Sequence, residues 1–266
     1  PGWFIQDESP IVDAVSPRFG LIDTSKDRWA ILQDQIRRLN ELSDGRHKLI
    51  FLCRHGEGFH NVAEAKYGTK AWDDCWSKLN DDGELVWGPD PELTTIGEDQ
   101  ARVANAVWKE EFHFNIPLPR RRYCSPMTRA LRTYVLTFDG IELPEGTRPL
   151  VLENCREVNG VHTCDKRRSR SYIRASFPEF DIEEGLAEED ELWTPDERES
   201  EADVVNRAKN VLDAVFSDQA DTDVVSITAH SGFINGFLGA IGRPSFPLKT
   251  GGILPVVVKA VEAHNA

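Results

Sequence analysis

The stretch Lys48-Leu49-Ile50-Phe51-Leu52-Cys53-Arg54-His55-Gly56 indicates the fold of this chain more strongly than any other segment. After its lysine it is a continuous apolar run up to Cys53, and a strand that is apolar on both faces is typical of a parallel sheet covered by helices. The run ends in two polar side chains and a glycine, which lets the backbone turn close to a ligand. We therefore predict a buried parallel strand whose carboxyl end carries polar groups.

Further strands and helices alternate along the rest of the chain. Short strands are predicted at Arg122–Cys124, Pro149–Leu152, Asp223–Thr228 and Ile253–Lys259. Apolar residues at helical spacing predict helices at Thr95–Glu111, Met127–Phe138, Glu201–Ser217 and Ser231–Ile241. This alternation predicts an α/β fold, a three-layer α/β/α sandwich with a mainly parallel sheet.

We expect a single domain over residues 1–266 with three additions to the alternating pattern. Residues 1–45 are interpreted as an N-terminal extension that contains a helix from about Asp27 to Leu42. Residues 67–91 and 159–198 are interpreted as insertions over the carboxyl edge of the sheet, where α/β enzymes place their sites. The tryptophans of the first insertion either stack on a ligand or form its small core.

The composition excludes several classes of partner. The chain has 45 acidic and 31 basic residues and a formal charge of −14, which argues against a nucleic-acid or anionic-membrane surface because such partners need a cationic footprint. Its five cysteines are scattered without a CxxC pair, so we expect neither a zinc site nor a disulfide framework. We expect no membrane span, a cytoplasmic location and a small-molecule partner.

Two histidines follow two of the predicted strands. His55 ends the first strand, and His230 ends the strand at Asp223–Thr228, directly before a helix. The carboxyl ends of parallel strands share one edge of a sheet, and helix N-termini there present backbone N–H groups to anions. Either histidine alone could be a surface residue or a residue bonded to the backbone, but the pair indicates one anion site.

Two more segments add charged groups to the same edge. Ser125-Pro126-Met127-Thr128-Arg129 follows the second strand, and Ser125 is a candidate helix cap. Arg129 would lie one turn along, where its planar guanidinium could hold phosphate oxygens or simply face solvent. Glu153 and Glu157 follow the third strand, and on spacing alone either could be a general acid or the partner of an arginine.

These four segments together resemble the histidine phosphatase superfamily in its phosphoglycerate-mutase-like branch. The resemblance rests on Arg54-His55-Gly56 with Asn61, Ser125-x-x-x-Arg129-Ala130, Glu157-x-x-Gly160 and His230-Ser231-Gly232, in the family's order. It spans about residues 48–259, and the segment 155–168 looks like a fungal and plant mutase-like subgroup.

The resemblance implies a role for each catalytic candidate. His55 would attack phosphorus, while Arg54, Arg129 and His230 would hold the non-bridging oxygens. Glu157 would be the general acid and then the base, and Gly160 favours it over Glu153 because the family's acid stands three residues before a glycine. A neutral His55 is required, so its other ring nitrogen should donate to a backbone carbonyl. The resemblance implies no metal and no cofactor.

Substrate contacts are expected from five residues: Asn61, Gly58, Ser231, His162 and Arg168. Gly58 stands where the mutases commonly carry a hydroxyl residue, and Ser231 replaces a glycine usual after the second histidine. A Gly58 N–H or the Ser231 hydroxyl could still serve the phosphate. Arg168 either reaches a second anionic group or lies in a solvated loop, and His162 either stacks on the substrate or packs within its insertion.

Three functions remain to be compared. The first is a histidine acid-type phosphatase that hydrolyses a small organic phosphate monoester through a phosphohistidine. The second is a phosphoglycerate-type mutase, which would need a closed site that excludes water. The third is a regulatory or binding module of the same fold, but the presence of His55, Arg129, Glu157 and His230 argues against it.

Overall fold

The computed structural model describes residues 2–9, 13–144, 148–217 and 223–261. Within these ranges one sheet contains β1 (Gly45–Arg54), β2 (Arg121–Cys124), β3 (Leu150–Val151), β4 (Asp181–Ile182), β5 (Val224–Ala229) and β6 (Ile253–Val261). The strand order is β4-β3-β2-β5-β1-β6, and every neighbouring pair is parallel except β1 with β6. The prediction of a mainly parallel sheet is confirmed.

Helices cover both faces of this sheet. They are α1 (Arg28–Leu42), α2 (Phe59–Tyr67), α3 (Thr69–Asp74), α4 (Thr95–Phe112), α5 (Thr128–Thr137), α6 (Arg170–Ser176), α7 (Glu201–Ser217) and α8 (Ser231–Ala240). Phe51 of β1 packs on one face with residues of α1, α4 and α5, whereas Ile50 packs on the other with residues of α7 and α8. Alternate side chains of β1 thus enter two separate cores, which explains its continuous apolar run.

One of the two outer strands, β4, was not predicted from the sequence. β4 lies inside the segment interpreted as the second insertion, yet it pairs with β3 at the edge of the sheet. Its two residues are partly or fully exposed, so no apolar run marks it. β6 is antiparallel to β1, and its Pro255 is compatible with an edge strand because such a strand leaves one side unpaired.

The N-terminal segment packs against one face of the sheet and contributes side chains to the core. Phe4, Phe19 and Leu21 are almost fully buried. The ring of Phe19 lies 4.7 Å from that of Trp108 in α4 and 5.6 Å from that of Phe51 in β1. Residues before α1 therefore complete the core on this face of the sheet.

The first insertion, residues 67–91, has a small aromatic core. Tyr67 and Trp76 stack with ring centroids 3.9 Å apart, and Trp72 and Trp87 are buried beside them. The indole N–H of Trp87 donates to the carbonyl of Leu79 at 2.7 Å. These tryptophans serve the packing of the segment, which is the simpler of the two alternatives that the sequence allowed.

Within the described ranges, no helix combines the length and the apolarity needed to cross a bilayer.

Candidate active site

His55 is held at the carboxyl edge of the sheet by the strands on both sides of β1. The backbone N–H of His55 donates to the carbonyl of Ala229 at 3.0 Å, and its backbone carbonyl accepts from the N–H of Gly251 at 2.8 Å. The ring Nδ1 lies 2.6 Å from the carbonyl oxygen of Gly56. Because a carbonyl only accepts, Nδ1 carries the proton and Nε2 keeps its lone pair, as the sequence analysis expects.

The glycine after His55 lets the strand end approach two helices. A Cβ at Gly56 would collide with the carbonyl oxygen of Gly97 in the first turn of α4. The N–H of Gly56 donates to the hydroxyl of Thr133 in α5 at 3.0 Å. The close backbone approach therefore fixes the position of the His55 ring.

His230 lies beside His55 at the end of β5. The two ring centroids are 5.0 Å apart, and His230 is fully buried. Its Nε2 lies 2.7 Å from Oγ of Ser125, which follows β2. Its Nδ1 is buried without a hydrogen-bond partner in the described part of the chain. Three adjacent strand ends thus bring His55, His230 and Ser125 together.

Ser125 does not cap α5, contrary to the sequence interpretation. The helix begins at Thr128, and the carboxylate of Asp90 accepts from both the N–H and the hydroxyl of that residue, at 2.9 and 2.7 Å. Asp90 comes from the first insertion and is fully buried. A carboxylate from a distant segment therefore caps the helix. Oγ of Ser125 contacts His230 and accepts from the N–H of Met127 at 3.3 Å, one residue before the helix begins.

Arg54 and Arg129 place two guanidinium groups near the histidines. Nη1 of Arg54 donates to the carbonyl of Leu248 at 2.7 Å. Nη1 of fully buried Arg129 donates to the carbonyl of Cys164 at 2.8 Å, and its Nη2 donates to Asp165 at 3.1 Å. In both arginines Nε is buried and unpartnered among the described residues. Each side chain is oriented by protein contacts and has an Nε–H donor without a partner among the described residues.

Glu157 is anchored at the start of α8. Its carboxylate accepts from the N–H groups of Gly232 and Phe233, each at 3.2 Å. This places an acidic group next to His230, the residue that precedes the helix. Gly160, three residues further on, has φ +80° and a position where a Cβ would collide with the carbonyl of Glu197. A glycine is therefore required there.

Glu153, the alternative acid, is committed to other partners. Its carboxylate pairs with Nη1 of Arg156 at 2.9 Å and with Nε of Arg167 at 3.0 Å. Both arginines are buried. The geometry thus separates two glutamates that spacing alone left equivalent, because only Glu157 contacts the helix that follows His230.

Among the predicted substrate contacts, Gly58 and Asn61 bond to each other. The N–H of Gly58 donates to Oδ1 of Asn61 at 3.0 Å, which closes the loop before α2. In this conformation the Gly58 N–H is occupied within the protein rather than offered to a phosphate. Ser231 is the first residue of α8 and is half-buried.

His162 and Arg168 lie on the second insertion, and their described contacts are with residues outside the pair of histidines. Nε2 of His162 is 3.7 Å from Asp73, and its ring packs edge-on near Trp72 with centroids 6.1 Å apart. Arg168 is 37% exposed, 3.9 Å from Asp90, and its guanidinium covers the ring of Tyr172 at 4.6 Å. Within the described residues, neither of them has a hydrogen bond or ring contact with His55 or His230.

The histidines of the site are held neutral by burial and by arginine. Desolvation, followed by the positive charge of Arg129, lowers the pKa of His55 and of His230 well below the usual value. Arg54 adds to the effect on both. The same causes lower the pKa of His60, whose ring lies 5.3 Å from that of His55. An unprotonated His55 is the form that can attack an electrophile.

One group of possible metal ligands occurs in the described part of the chain. Ligand atoms of His162, Cys164 and Asp165 lie within 4.8 Å of one another. However, the Asp165 carboxylate already pairs with Arg129 and with Arg198, at 3.1 and 2.8 Å. Two guanidinium charges on the same carboxylate oppose a bound cation, so these residues do not suit a resident metal.

Sequence reasoning missed Asp90, Asp165 and His60 as parts of the site. Asp90 and Asp165 lie in the insertions, whose placement over the sheet edge could be expected but whose contacts could not. His60 stands directly before Asn61 inside the first motif, and that adjacency was an available signal. The assembled group contains an unprotonated imidazole with a free Nε2 lone pair, two cations, a second imidazole and a carboxyl group, which suits transfer of an anionic group such as phosphoryl.

Comparison with known proteins gives a family and several relatives for this chain. The sequence profile of the histidine phosphatase superfamily (branch 1) matches residues 50–248. The chain is 43% identical to a probable phosphoglycerate mutase of Arthroderma benhamiae, over 100% of this chain and 85% of that protein. It is 38% identical to phosphomutase-like protein 3 of Candida albicans, over 82% of this chain and 67% of that protein.

Among solved structures, a protein named mycobacterial hydrolase 1 aligns with a TM-score of 0.49 and 21% identity, over 83% of this chain and 99% of that one. The profile match covers most of the chain, and it includes all four motif segments. The chain belongs to the histidine phosphatase superfamily, alongside its phosphoglycerate-mutase-like members.

Proposed function

We propose that the chain is a metal-independent phosphatase that hydrolyses a small organic phosphate monoester through a phosphohistidine at His55. The observation that supports this most is the state of His55, whose Nδ1 donates to Gly56 and whose Nε2 is left to attack. The presence of two arginines and His230 around this ring supports phosphate as the group that is bound.

In the first step, the Nε2 lone pair of His55 forms a bond to phosphorus as the ester P–O bond breaks. The bond's electron pair stays on the departing oxygen, which takes a proton from the Glu157 carboxyl group. Arg54, Arg129 and His230 hold the non-bridging oxygens, and the two guanidinium groups neutralise their charge, which is the main protein contribution to phosphoryl transfer.

In the second step, water attacks the phosphohistidine. A P–O bond forms as the N–P bond breaks, and the electron pair returns to Nε2 of His55. The Glu157 carboxylate takes the proton of the water, so both residues regain their starting states. The products are an alcohol and inorganic phosphate.

An acid-type phosphatase is the form of this activity that the electrostatics favour. A histidine nucleophile works only while it is unprotonated. Burial and the neighbouring guanidinium groups hold the pKa of His55 well below its ordinary value, so the nucleophile persists under mildly acidic conditions.

A phosphoglycerate-type mutase is the second candidate, and the names of the similar fungal proteins favour it. It would use the same phosphohistidine but would return the phosphoryl group to a sugar acid instead of to water. The shielding of His55, which is only 2% exposed, is compatible with this alternative as well.

The identity of the product distinguishes the two activities. Purified protein is incubated with 3-phosphoglycerate and, separately, with a panel of phosphate esters, and the products are followed by phosphorus NMR. A phosphatase releases inorganic phosphate from at least one ester. Conversion of 3-phosphoglycerate to its isomer without release of phosphate would establish the mutase instead.

A further inference from the structure

His60 is a third imidazole beside the reacting centre, and the proposed steps leave it without a role. It lies in the first turn of α2, and its ring centroid is 5.3 Å from that of His55. Its Nδ1 is buried and has no hydrogen-bond partner in the described ranges. A buried nitrogen without a partner is unfavourable, so a ligand that supplies a hydrogen bond there gains affinity.

The place of the His60 ring depends on the glycine two residues before it. A Cβ built on Gly58 would lie 2.8 Å from both Cε1 and Nδ1 of His60, closer than real Cβ contacts. Gly58 has φ −104° and ψ 165°, a backbone conformation that any residue can adopt. The glycine therefore provides space for the imidazole and is not required by its own backbone.

Groups of the site and of the second insertion act electrostatically on His60. Arg129, His55 and Arg54, and His162 from the second insertion, all disfavour its protonated form. Burial and these groups lower its pKa well below the ordinary value. A neutral imidazole has one donor and one acceptor nitrogen, so it can bind a hydroxyl group in either sense.

Four other polar groups of the site have assignments in the proposed reaction. Arg54, Arg129 and His230 are assigned to the non-bridging oxygens, and Glu157 is assigned to the ester oxygen. His60 has no such assignment, so its hydrogen-bonding capacity is available for the organic part of the substrate.

We propose that His60 is a specificity-determining residue whose Nδ1 hydrogen bonds to a hydroxyl on the carbon chain next to the transferred phosphate. This inference rests on the proposed phosphatase activity. It assigns the substrate to the hydroxylated alkyl phosphates, and it makes Gly58 the residue that admits the imidazole to the site.

The test compares glycerol 1-phosphate with n-propyl phosphate, which differ in two hydroxyl groups but have similar reacting centres. The ratio of their kcat/KM values is measured for the wild type, His60→Phe and His60→Asn. Phenylalanine keeps a ring but has no hydrogen-bonding group, whereas the asparagine amide lies close to where Nδ1 was. We expect the wild type to prefer glycerol 1-phosphate by about tenfold, mainly through KM, as one hydrogen bond can provide.

We expect the ratio to fall towards one in His60→Phe and to recover in part in His60→Asn. Gly58→Ala is a second variant, because its methyl group displaces the His60 ring and should also lower the ratio. His113→Phe, which changes an exposed histidine at the end of α4, is the matched control and should keep the wild-type ratio. An equal preference in the wild type, or an unchanged ratio in both His60→Phe and Gly58→Ala, would overturn the proposal.

Binding to a protein without its nucleophile separates this inference from the activity. In the His55→Ala background, calorimetric titration with the same two esters compares the protein with and without His60→Phe. A preference for glycerol 1-phosphate that His60→Phe removes supports the role of His60 even if no ester is hydrolysed. Hydrolysis by the wild type without any such preference rejects the role of His60 and leaves the phosphatase proposal intact.

Discussion

The carboxylate of Asp165 accepts a hydrogen bond from Nη2 of Arg129 at 3.1 Å, although the two residues are 36 positions apart. Its other oxygen accepts from Nη1 of Arg198 at 2.8 Å. Arg129 is fully buried and the Asp165 side chain is 4% exposed, so the pair is shielded from solvent. The second insertion therefore contacts Arg129, the residue that we assign to phosphate binding, through a buried ion pair.

Asp165→Ala should weaken both stability and phosphate binding. It leaves two guanidinium groups without their shared carboxylate, and removing one partner of a buried ion pair costs about 3–5 kcal/mol. We expect a lower free energy of unfolding in urea and a higher KM for p-nitrophenyl phosphate. Asp196→Ala, at an exposed position of the same insertion, is the control. Unchanged stability and KM would mean that Asp165 does not hold Arg129.

His55→Ala should reduce turnover of p-nitrophenyl phosphate to the background rate without unfolding the protein. The variant removes the nitrogen that forms the bond to phosphorus, while the backbone contacts of residue 55 to Ala229 and Gly251 remain. The measurement pairs an activity assay with circular dichroism, and His113→Ala is the control. Retained activity in a folded variant would refute the role of His55 as the nucleophile.

Glu157→Gln should separate a general acid from a phosphate holder. A phenolate leaves without protonation, whereas an alkoxide does not, so the variant should slow an alkyl ester far more than p-nitrophenyl phosphate. Arg129→Ala should instead slow both esters, because the phosphate charge must be neutralised whatever group departs. The measurement is kcat/KM for the two esters with each variant, and it distinguishes a general acid from a residue that binds the phosphate.

Glu153→Gln is the control for Glu157→Gln. Its carboxylate pairs with Arg156 and Arg167, so we expect a loss of stability without a selective effect on alkyl esters. Equal losses on both esters for Glu157→Gln would refute its role as the acid, and a selective loss in Glu153→Gln would move that role four residues upstream.

Stability should decline as the pH falls below about 6.5, the ordinary pKa of histidine. His55, His60 and His230 have folded-state pKa values well below their unfolded ones, so the unfolded chain takes up protons first. Each such histidine lowers the free energy of unfolding by about 1.4 kcal/mol per pH unit until the folded state is protonated too.

Asp90 has the opposite effect on the pH dependence of stability. Burial raises its pKa to about 6, so on acidification the folded state takes up this proton before the unfolded chain does. Urea unfolding between pH 5 and 8 tests the balance, and His60→Phe should show a slope smaller by about one proton. A flat profile, or stability that rises on acidification, would contradict the neutral histidine cluster.

Vanadate and tungstate should inhibit the phosphatase activity, and EDTA should not. Both oxyanions carry the charge and the oxygen atoms that Arg54, Arg129 and His230 are placed to hold. The measurement is the inhibition constant with p-nitrophenyl phosphate, with Arg129→Ala as the variant in which inhibition should weaken. Dependence of the activity on an added divalent ion would reject the metal-independent mechanism.

The strongest elements of the fold were predictable because their signals are local. The apolar run of β1 and the helical spacing between the strands report burial directly, and the four motifs stand where strands end. β4 was not predictable, since a two-residue, partly exposed strand has no apolar pattern. The helix cap was misassigned for a related reason: Ser125 has the usual position for a cap, but Asp90 reaches the helix from another segment.

Apolar periodicity and motif spacing are properties of the chain. Residue order was therefore enough to predict the sheet with helices on both faces, the family, and the set of histidines and arginines at one edge. The tertiary structure alone gave four relationships: the anchoring of Glu157 on α8 while Glu153 pairs with arginines, the contact of Ser125 with His230, the ion pair of Asp165 with Arg129, and the position of His60 beside His55. These are contacts between segments distant in sequence or between side chains whose directions depend on packing, and residue order alone does not encode them.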